Sequence, residues 1–230
     1  MFLMKGETDE EVKQYLDNLG TEYRFGCLSE KKPEVCHLLG DFMKSIKKDF
    51  NKAASLYRST CDDYQFSRSC HKFASYALTG KGGPADPSKA FDYFKKGCNF
   101  GDADSCLYAG LMCTANNEKI KVKLDYPQGM GFLNQSCEKG NHNGCYYLSG
   151  MYLTGVPEVL EKNMTSAFNY SIKACDLGNI YACANVSRMY TKGDGVEPNA
   201  EIALQFKKKV FEMEKELRGQ FKPIEMERGA

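Results

Sequence analysis

The 230-residue chain has no tryptophan and only three histidines, and it contains no apolar run approaching the ~20 residues that a membrane-spanning helix needs. Charge of one sign is missing as well. Thirty-one basic residues stand against thirty acidic ones, a formal net charge of +1, so no strong pull toward nucleic acid or an anionic membrane is expected. The chain begins Met1-Phe2-Leu3-Met4 and then turns acidic through Glu7, Asp9, Glu10 and Glu11. Four apolar residues fall short of the ~7–15 of a secretory signal core, and the acids stand where a mitochondrial transit peptide carries arginine. Neither targeting segment is therefore expected. Disorder is also excluded, since 42% of residues are hydrophobic and 27% are charged.

Against these absences stand eleven cysteines, and they form a pattern. Ten fall into couples: Cys27 with Cys36, Cys61 with Cys70, Cys98 with Cys106, Cys137 with Cys145, and Cys175 with Cys183. The first members recur every 34, 37, 39 and 38 residues, the period of a helical repeat array. Other positions keep the same phase. Eight residues before the first cysteine stand Leu19, Ala53, Ala90, Gly129 and Ala167, and large residues Leu56, Tyr93, Phe132 and Tyr170 follow three later in the last four units. Four residues after the second cysteine stand the small residues Gly40, Ala74, Gly110, Ser149 and Ser187, and two later the large apolar Phe42, Tyr76, Met112, Met151 and Met189. Gly80, Gly155 and Gly193 then suit helix C-termini.

This pattern predicts an all-α stack of two-helix units. The first cysteine lies near the end of one helix and the second near the start of the next. No unit buries its apolar face alone, so neighbours must stack. The expected organisation is an opening helix over 1–20 (its apolar face Val12, Tyr15, Leu16 and Leu19), five repeat units over 21–197, a capping helix over 198–218 and a loose tail over 219–230. The Asn- and Lys-rich stretch 115–126 is expected to be the longest, most mobile connection.

Disulfides are the favoured reading of the couples, ahead of reduced structural thiols and of metal. Each unit supplies two cysteines rather than four, no couple is C-x-x-C, and His37, His71 and His142 do not recur in every unit. No metal ligand set is expected. A cysteine late in one helix is expected to face one early in the next, where Cα atoms can lie within the ~4.4–6.8 Å a bridge requires. Each bridge closes a short loop, for which the chain-entropy relation gives roughly 2.5 kcal/mol, or roughly 12 kcal/mol for five as an upper figure.

The segments Ala90–Tyr108 and Ala167–Gly195 resemble Sel-1-like repeats, relatives of the tetratricopeptide repeat. Lys173–Val196, "KACDLGNIYACANVSRMYTKGDGV", carries the A-C-D-x-G turn, the small helix residue and the G-D-G-V hairpin. With "LTGKGG" at Leu78–Gly83 and "ACANVSRMY" at Ala182–Tyr190, the likeness to a cysteine-rich branch of the family runs from about Glu10 to Lys209. The resemblance implies a right-handed α-solenoid. It also implies a role in assembling respiratory complex IV, in the mitochondrial intermembrane space. There an oxidative import relay traps cysteine-rich helical proteins without a cleaved presequence. Implied partners are proteins of complex IV assembly and of that relay, bound by a monomer on its concave helical surface, with no nucleic acid and no membrane span. A second implication is a haem-associated thiol-disulfide oxidoreductase acting on copper chaperones, and a third is an adaptor with reduced thiols in another compartment.

No catalytic residue stands out. Cys113, the cysteine outside the couples, is a candidate thiol for exchange with partners; a small buried apolar side chain is the favoured reading. His37 and His71 each follow a second cysteine and read as partly exposed helix positions. Haem remains the one cofactor suggested by the resemblance, and it would require an axial His, Met or Cys in a pocket; Met112, Met151 and Met189 read as core instead. The N-x-S/T triplets at Asn134, Asn163, Asn169 and Asn185 fall mainly inside predicted helices and read as repeat phase rather than glycosylation sites. Gly80-Lys81-Gly82-Gly83 follows a helix and lacks the full phosphate-loop pattern, so it reads as a turn.

Overall fold

A computed structural model describes residues 8–115, 120 and 122–220, which form eleven α-helices. The chain divides into two compact units, Met1–Asp125 and Tyr126–Ala230. The first holds α1 (Asp9–Leu28), α2 (Pro33–Ser45), α3 (Phe50–Tyr64), α4 (Ser67–Thr79), α5 (Pro87–Asn99) and α6 (Ala103–Thr114). The second holds α7 (Tyr126–Glu138), α8 (His142–Thr154), α9 (Met164–Asp176), α10 (Ile180–Lys192) and α11 (Ala200–Gln220). Within each unit every helix packs on its sequence neighbours, the arrangement of a helical repeat stack. No helix among the described residues is long and apolar enough to cross a membrane. Of the expected mobile connection, residues 116–119 and 121 lie outside the described residues, as does 221–230 of the expected tail.

The helix starts follow from local chemistry. Thr8 and Glu11 form a reciprocal capping box at α1. Asp49, Asp86, Asp102, Asn141, Asn163 and Asn179 each accept a backbone N–H in the first turn of their helix, satisfying donors that would otherwise be orphaned. Two helices end on left-handed glycines, Gly80 (φ 71°) and Gly193 (φ 80°). The glycines two residues further on, Gly82 and Gly195, also have positive φ. A Cβ there would run into the carbonyl groups of Phe50 and Met164, the first residues of α3 and α9. The second helix of each of these units thus hands its chain past the start of the first at backbone contact.

α1 is longer than the sequence suggests. It is a single twenty-residue helix that runs through Gly20 and carries Cys27, where an end near Leu19 was expected. Gly20 is a packing position: a Cβ there would lie 2.8 Å from the Phe42 ring. The core also shifts by one residue. The small residues Ala53, Ala90 and Gly129 are buried, but the large side chains sealed deepest in the seam are Tyr57, Phe94 and Leu133, four rather than three positions later, while Ala167 is followed at that place by the small Ser171. Of the residues at three, Tyr93 is buried as expected while Leu56, Phe132 and Tyr170 are only partly so, and Tyr93 and Tyr170 turn their hydroxyls to the preceding repeat. Tyr93 donates to Asp62 at 2.7 Å and Tyr170 to Asn134 at 3.0 Å.

Candidate functional site

Each cysteine couple stands at bonding distance at the turn between two helices. The S–S separations run from 2.00 to 2.17 Å and the Cα–Cα separations from 4.5 to 4.8 Å. The couples link α1 to α2, α3 to α4, α5 to α6, α7 to α8 and α9 to α10. They are deeply buried; the most exposed member, Cys27, shows 6% of its surface. A sulfur covered this fully is out of reach of an attacking thiolate, so the couples act as staples rather than as exchangeable bonds.

His71 is partly exposed, as expected, but His37 is not. His37 is 2% exposed, not a partly exposed helix residue. Its Nδ1 lies 2.9 Å from the Ser69 hydroxyl of α4, and its Nε2 lies 3.6 Å from Asp41. The rings of Tyr57 and Phe66 each stand 5.5 Å away. Burial pushes the imidazole pKa down; Asp41 opposes this, and Arg68, Lys72 and Lys44 add to it. Serine, histidine and aspartate thus stand in a row, yet Ser69 is wholly buried. No substrate carbonyl reaches its oxygen, and the row is a structural clamp between second helices.

The same clamp recurs one repeat later. His71 Nδ1 lies 3.4 Å from Ser105 Oγ and 3.5 Å from Asp102. Burial pushes the Asp102 carboxyl up, but hydrogen bonds from His71 and Ser105 outweigh it and hold the group below its usual value. In the second unit, the Asn179 amide lies 3.1 Å from His142 Nδ1 and donates to Asn143 at 3.1 Å. The partners are 32 to 37 residues apart, one repeat. Sequence reasoning missed this ladder, although a usable signal exists: a histidine follows one second cysteine and a serine precedes the next, as in Ser69-Cys70 and Ser105-Cys106. Between first helices, Lys96 at 2.6 Å and Tyr93 at 2.7 Å converge on Asp62. Burial raises this carboxyl, and those two hydrogen bonds bring it below its ordinary value.

Cys113 is wholly buried on α6. Burial, reinforced by Asp125 and opposed by Lys95, pushes its thiol up to about 11. At neutral pH only about one thiol in ten thousand at that value is ionised, and the thiolate is the species that attacks. The environment is that of a packing residue. Haem finds no cradle among the described residues either. His37 is 2% exposed with the rings of Tyr57 and Phe66 at 5.5 Å, Met112 and Met189 are buried in helix seams, and the surface hollows along 154–162, beside Gly82 and Lys89, and between α10 and α11 are lined by no His, Met or Cys. The residues present do not fit the group, and no chemistry is derived through it.

Comparison with known proteins agrees with this architecture. The Sel1 repeat pattern matches residues 33–63, 67–102, 142–179 and 180–207. The chain is 40% identical to a cytochrome c oxidase assembly factor 7 homolog of Drosophila melanogaster, over 98% of this chain and 97% of that one. It is 41% identical to cytochrome c oxidase assembly factor 7 of Xenopus tropicalis, over 90% of each, and 35% identical to that of Homo sapiens, over 95% and 96%. Among solved structures, a Sel1 repeat protein from Oxalobacter formigenes superposes with a TM-score of 0.75 at 18% identity, covering 88% of this chain and 82% of that one. A protective antigen of uropathogenic Escherichia coli, with a TM-score of 0.72 at 22% identity, covers 86% of this chain and 40% of its own.

Proposed function

The chain belongs to the cytochrome c oxidase assembly factor 7 family of Sel1-repeat proteins, and from that premise we propose that it is a non-enzymatic assembly factor for mitochondrial cytochrome c oxidase. It acts as a protein-interaction module whose ten coupled cysteines are oxidised in the intermembrane space. The observation that carries the assembly role is the near-full-length identity to relatives bearing that name. Five couples poised at disulfide distance support the compartment, because structural disulfides persist in oxidising surroundings and are rare in the cytosol. The buried couples and the raised Cys113 pKa favour a scaffold over a thiol-disulfide oxidoreductase.

Depletion of the protein from cells tests the assembly role. Assembled cytochrome c oxidase and its activity fall relative to the other respiratory complexes and recover on re-expression; an unchanged oxidase level ends the reading. Fractionation of mitochondria with thiol trapping under non-reducing conditions tests the compartment and the staples together. An intermembrane-space pool with Cys113 as its single alkylated cysteine is the expected result. Protein outside that space, or alkylation at all eleven cysteines, overturns it.

A further inference from the structure

The second unit ends on a groove that its own repeat geometry marks as a helix seat. Inside that unit, the groove between α8 and α9 is roofed by α10. Its residues Ser149, Ala167, Ser171 and Ala174 are wholly buried, and Cys175 is 1% exposed. One repeat on, α10 and α11 form the equivalent groove. Ser187 donates to the Ala203 carbonyl at 2.7 Å, as Ser149 does to Ala167 at 2.9 Å, so the two walls stand in the same register. Ser187, however, is only half-buried, and Lys207 and Phe211, at the places of Ser171 and Cys175, are exposed. Phe211 shows 68% of its surface and Leu204 shows 52%. A purely terminal cap favours a polar outer face; two large apolar side chains on the open wall are a cost in water.

The groove's charge narrows what fits. Two adjoining hollows of about 340 and 390 Å³ share Ser187, Thr191 and Lys207. Arg188, Lys192 and Lys207 line them together with Leu204 and Val210, and no carboxylate does. We propose that this groove docks one helix of a protein partner, amphipathic, with an apolar stripe against Leu204, Val210 and Phe211 and acidic residues against Arg188, Lys192 and Lys207. The docked helix takes the place that a sixth second helix would hold, the helix-in-groove mode of recognition. This deepens the interaction-module reading and rests on it.

The test is direct binding of the full oxidised chain to a synthetic helical peptide about 18 residues long, or five turns. It carries leucines at alternating three- and four-residue spacing and glutamates on both flanks. The peptide binds, with affinity falling as salt is raised, and a lysine-flanked version does not. Phe211→Ser and Lys207→Glu each weaken binding about tenfold, the size expected of a hot-spot contact. Lys207→Glu combined with Arg188→Glu transfers preference to the lysine-flanked peptide. All three side chains are exposed, so the variants keep the wild-type unfolding transition. Absence of binding, or binding indifferent to these variants, overturns the proposal. Binding that appears only after removal of residues 221–230 makes the chain's own tail the occupant, and self-association abolished by Phe211→Ser makes it a second copy; either result also overturns the partner assignment. The peptide measurement reads the groove alone, while the depletion experiment decides the assembly role.

Discussion

The first two stapled turns and the last three reach one covalent geometry by different routes. Cys27–Cys36 and Cys61–Cys70 are nine residues apart, the other couples eight, yet all five Cα–Cα separations lie between 4.5 and 4.8 Å. The longer turns place a side-chain-bearing residue in the left-handed region, Lys31 and Gln65, each with φ 54°. Their second helices, α2 and α4, follow the N-cap positions Lys32 and Phe66, which supply no side-chain cap. The shorter turns use Gly101, Gly140 and Gly178 (φ 87–97°), each followed by a capping residue, Asp102, Asn141 or Asn179. An eight-residue turn supplies its own local signal, a glycine free to turn left and an acceptor for the next helix. A nine-residue turn has neither of these local signals, yet its bridge closes a loop of nearly the same length.

The widest break in that comparison removes staples. Cys61→Ser with Cys70→Ser, and Cys175→Ser with Cys183→Ser, should each cost about 2.5 kcal/mol by loop-closure entropy, read as a shift in denaturant unfolding. A difference of more than about 1 kcal/mol between the two double variants would show that closing the loop is not what the bridges chiefly contribute. Next in size is the turn residue. Gly140→Ala should cost about 1–2 kcal/mol for a left-handed non-glycine residue, because a Cβ there meets nothing within 4 Å and no steric term adds. Gln65→Ala should be close to neutral and Gln65→Gly stabilising by about 0.5 kcal/mol. Equal losses at Gly140 and Gln65 would erase the distinction between the turns.

Caps follow. Asn141→Ala should lose about 1 kcal/mol, whereas Lys32→Asp, which installs a missing acceptor ahead of Pro33, should gain about 0.5 kcal/mol; thermal melts of the two variants against wild type decide it. The smallest effect is with pH. Burial keeps His37 neutral by lowering its pKa from 6.5, so the folded chain binds fewer protons there than the unfolded one. Stability from the neutral ring is complete above the unfolded-state value and is lost as pH falls below it, until the folded ring itself protonates. His37→Gln should flatten stability between about pH 7 and 5, the range where an ordinary histidine titrates. The matching positions in the second unit, Tyr146 and Ala184, contribute no such slope. A wild-type slope that survives in His37→Gln places the titrating group elsewhere.

The repeat was legible because its strongest marks are periodic. Paired cysteines, small residues at close helix approaches and glycines at helix ends survive one-dimensional reading. What was not legible depends on which way a side chain turns. The opening helix was expected to close by residue 20, but Gly20 makes room for the Phe42 ring and α1 continues to Leu28. Leu56 and Tyr57 both lie on the apolar arc, and only the three-dimensional seam selects Tyr57 for full burial. The histidine ladder escaped notice because its partners lie a whole repeat apart and change identity, from Ser69 to Ser105 to Asn179.

Locality of the staples shapes how the chain acquires them. Each native pair is closed by a segment of eight or nine residues, whereas Cys36 and Cys61 are 25 apart and Cys70 and Cys98 are 28. Chain ends that close meet more often than distant ones, so the correct partner is the nearest in four of the five hairpins before any repeat has stacked. The exception is Cys106, which has Cys113 seven residues away on its own helix, a rigid spacing that holds the two sulfurs apart once α6 forms. Loop-closure entropy alone therefore favours pairing within a hairpin over pairing between hairpins, so the register of the bridges does not depend on the stack being complete.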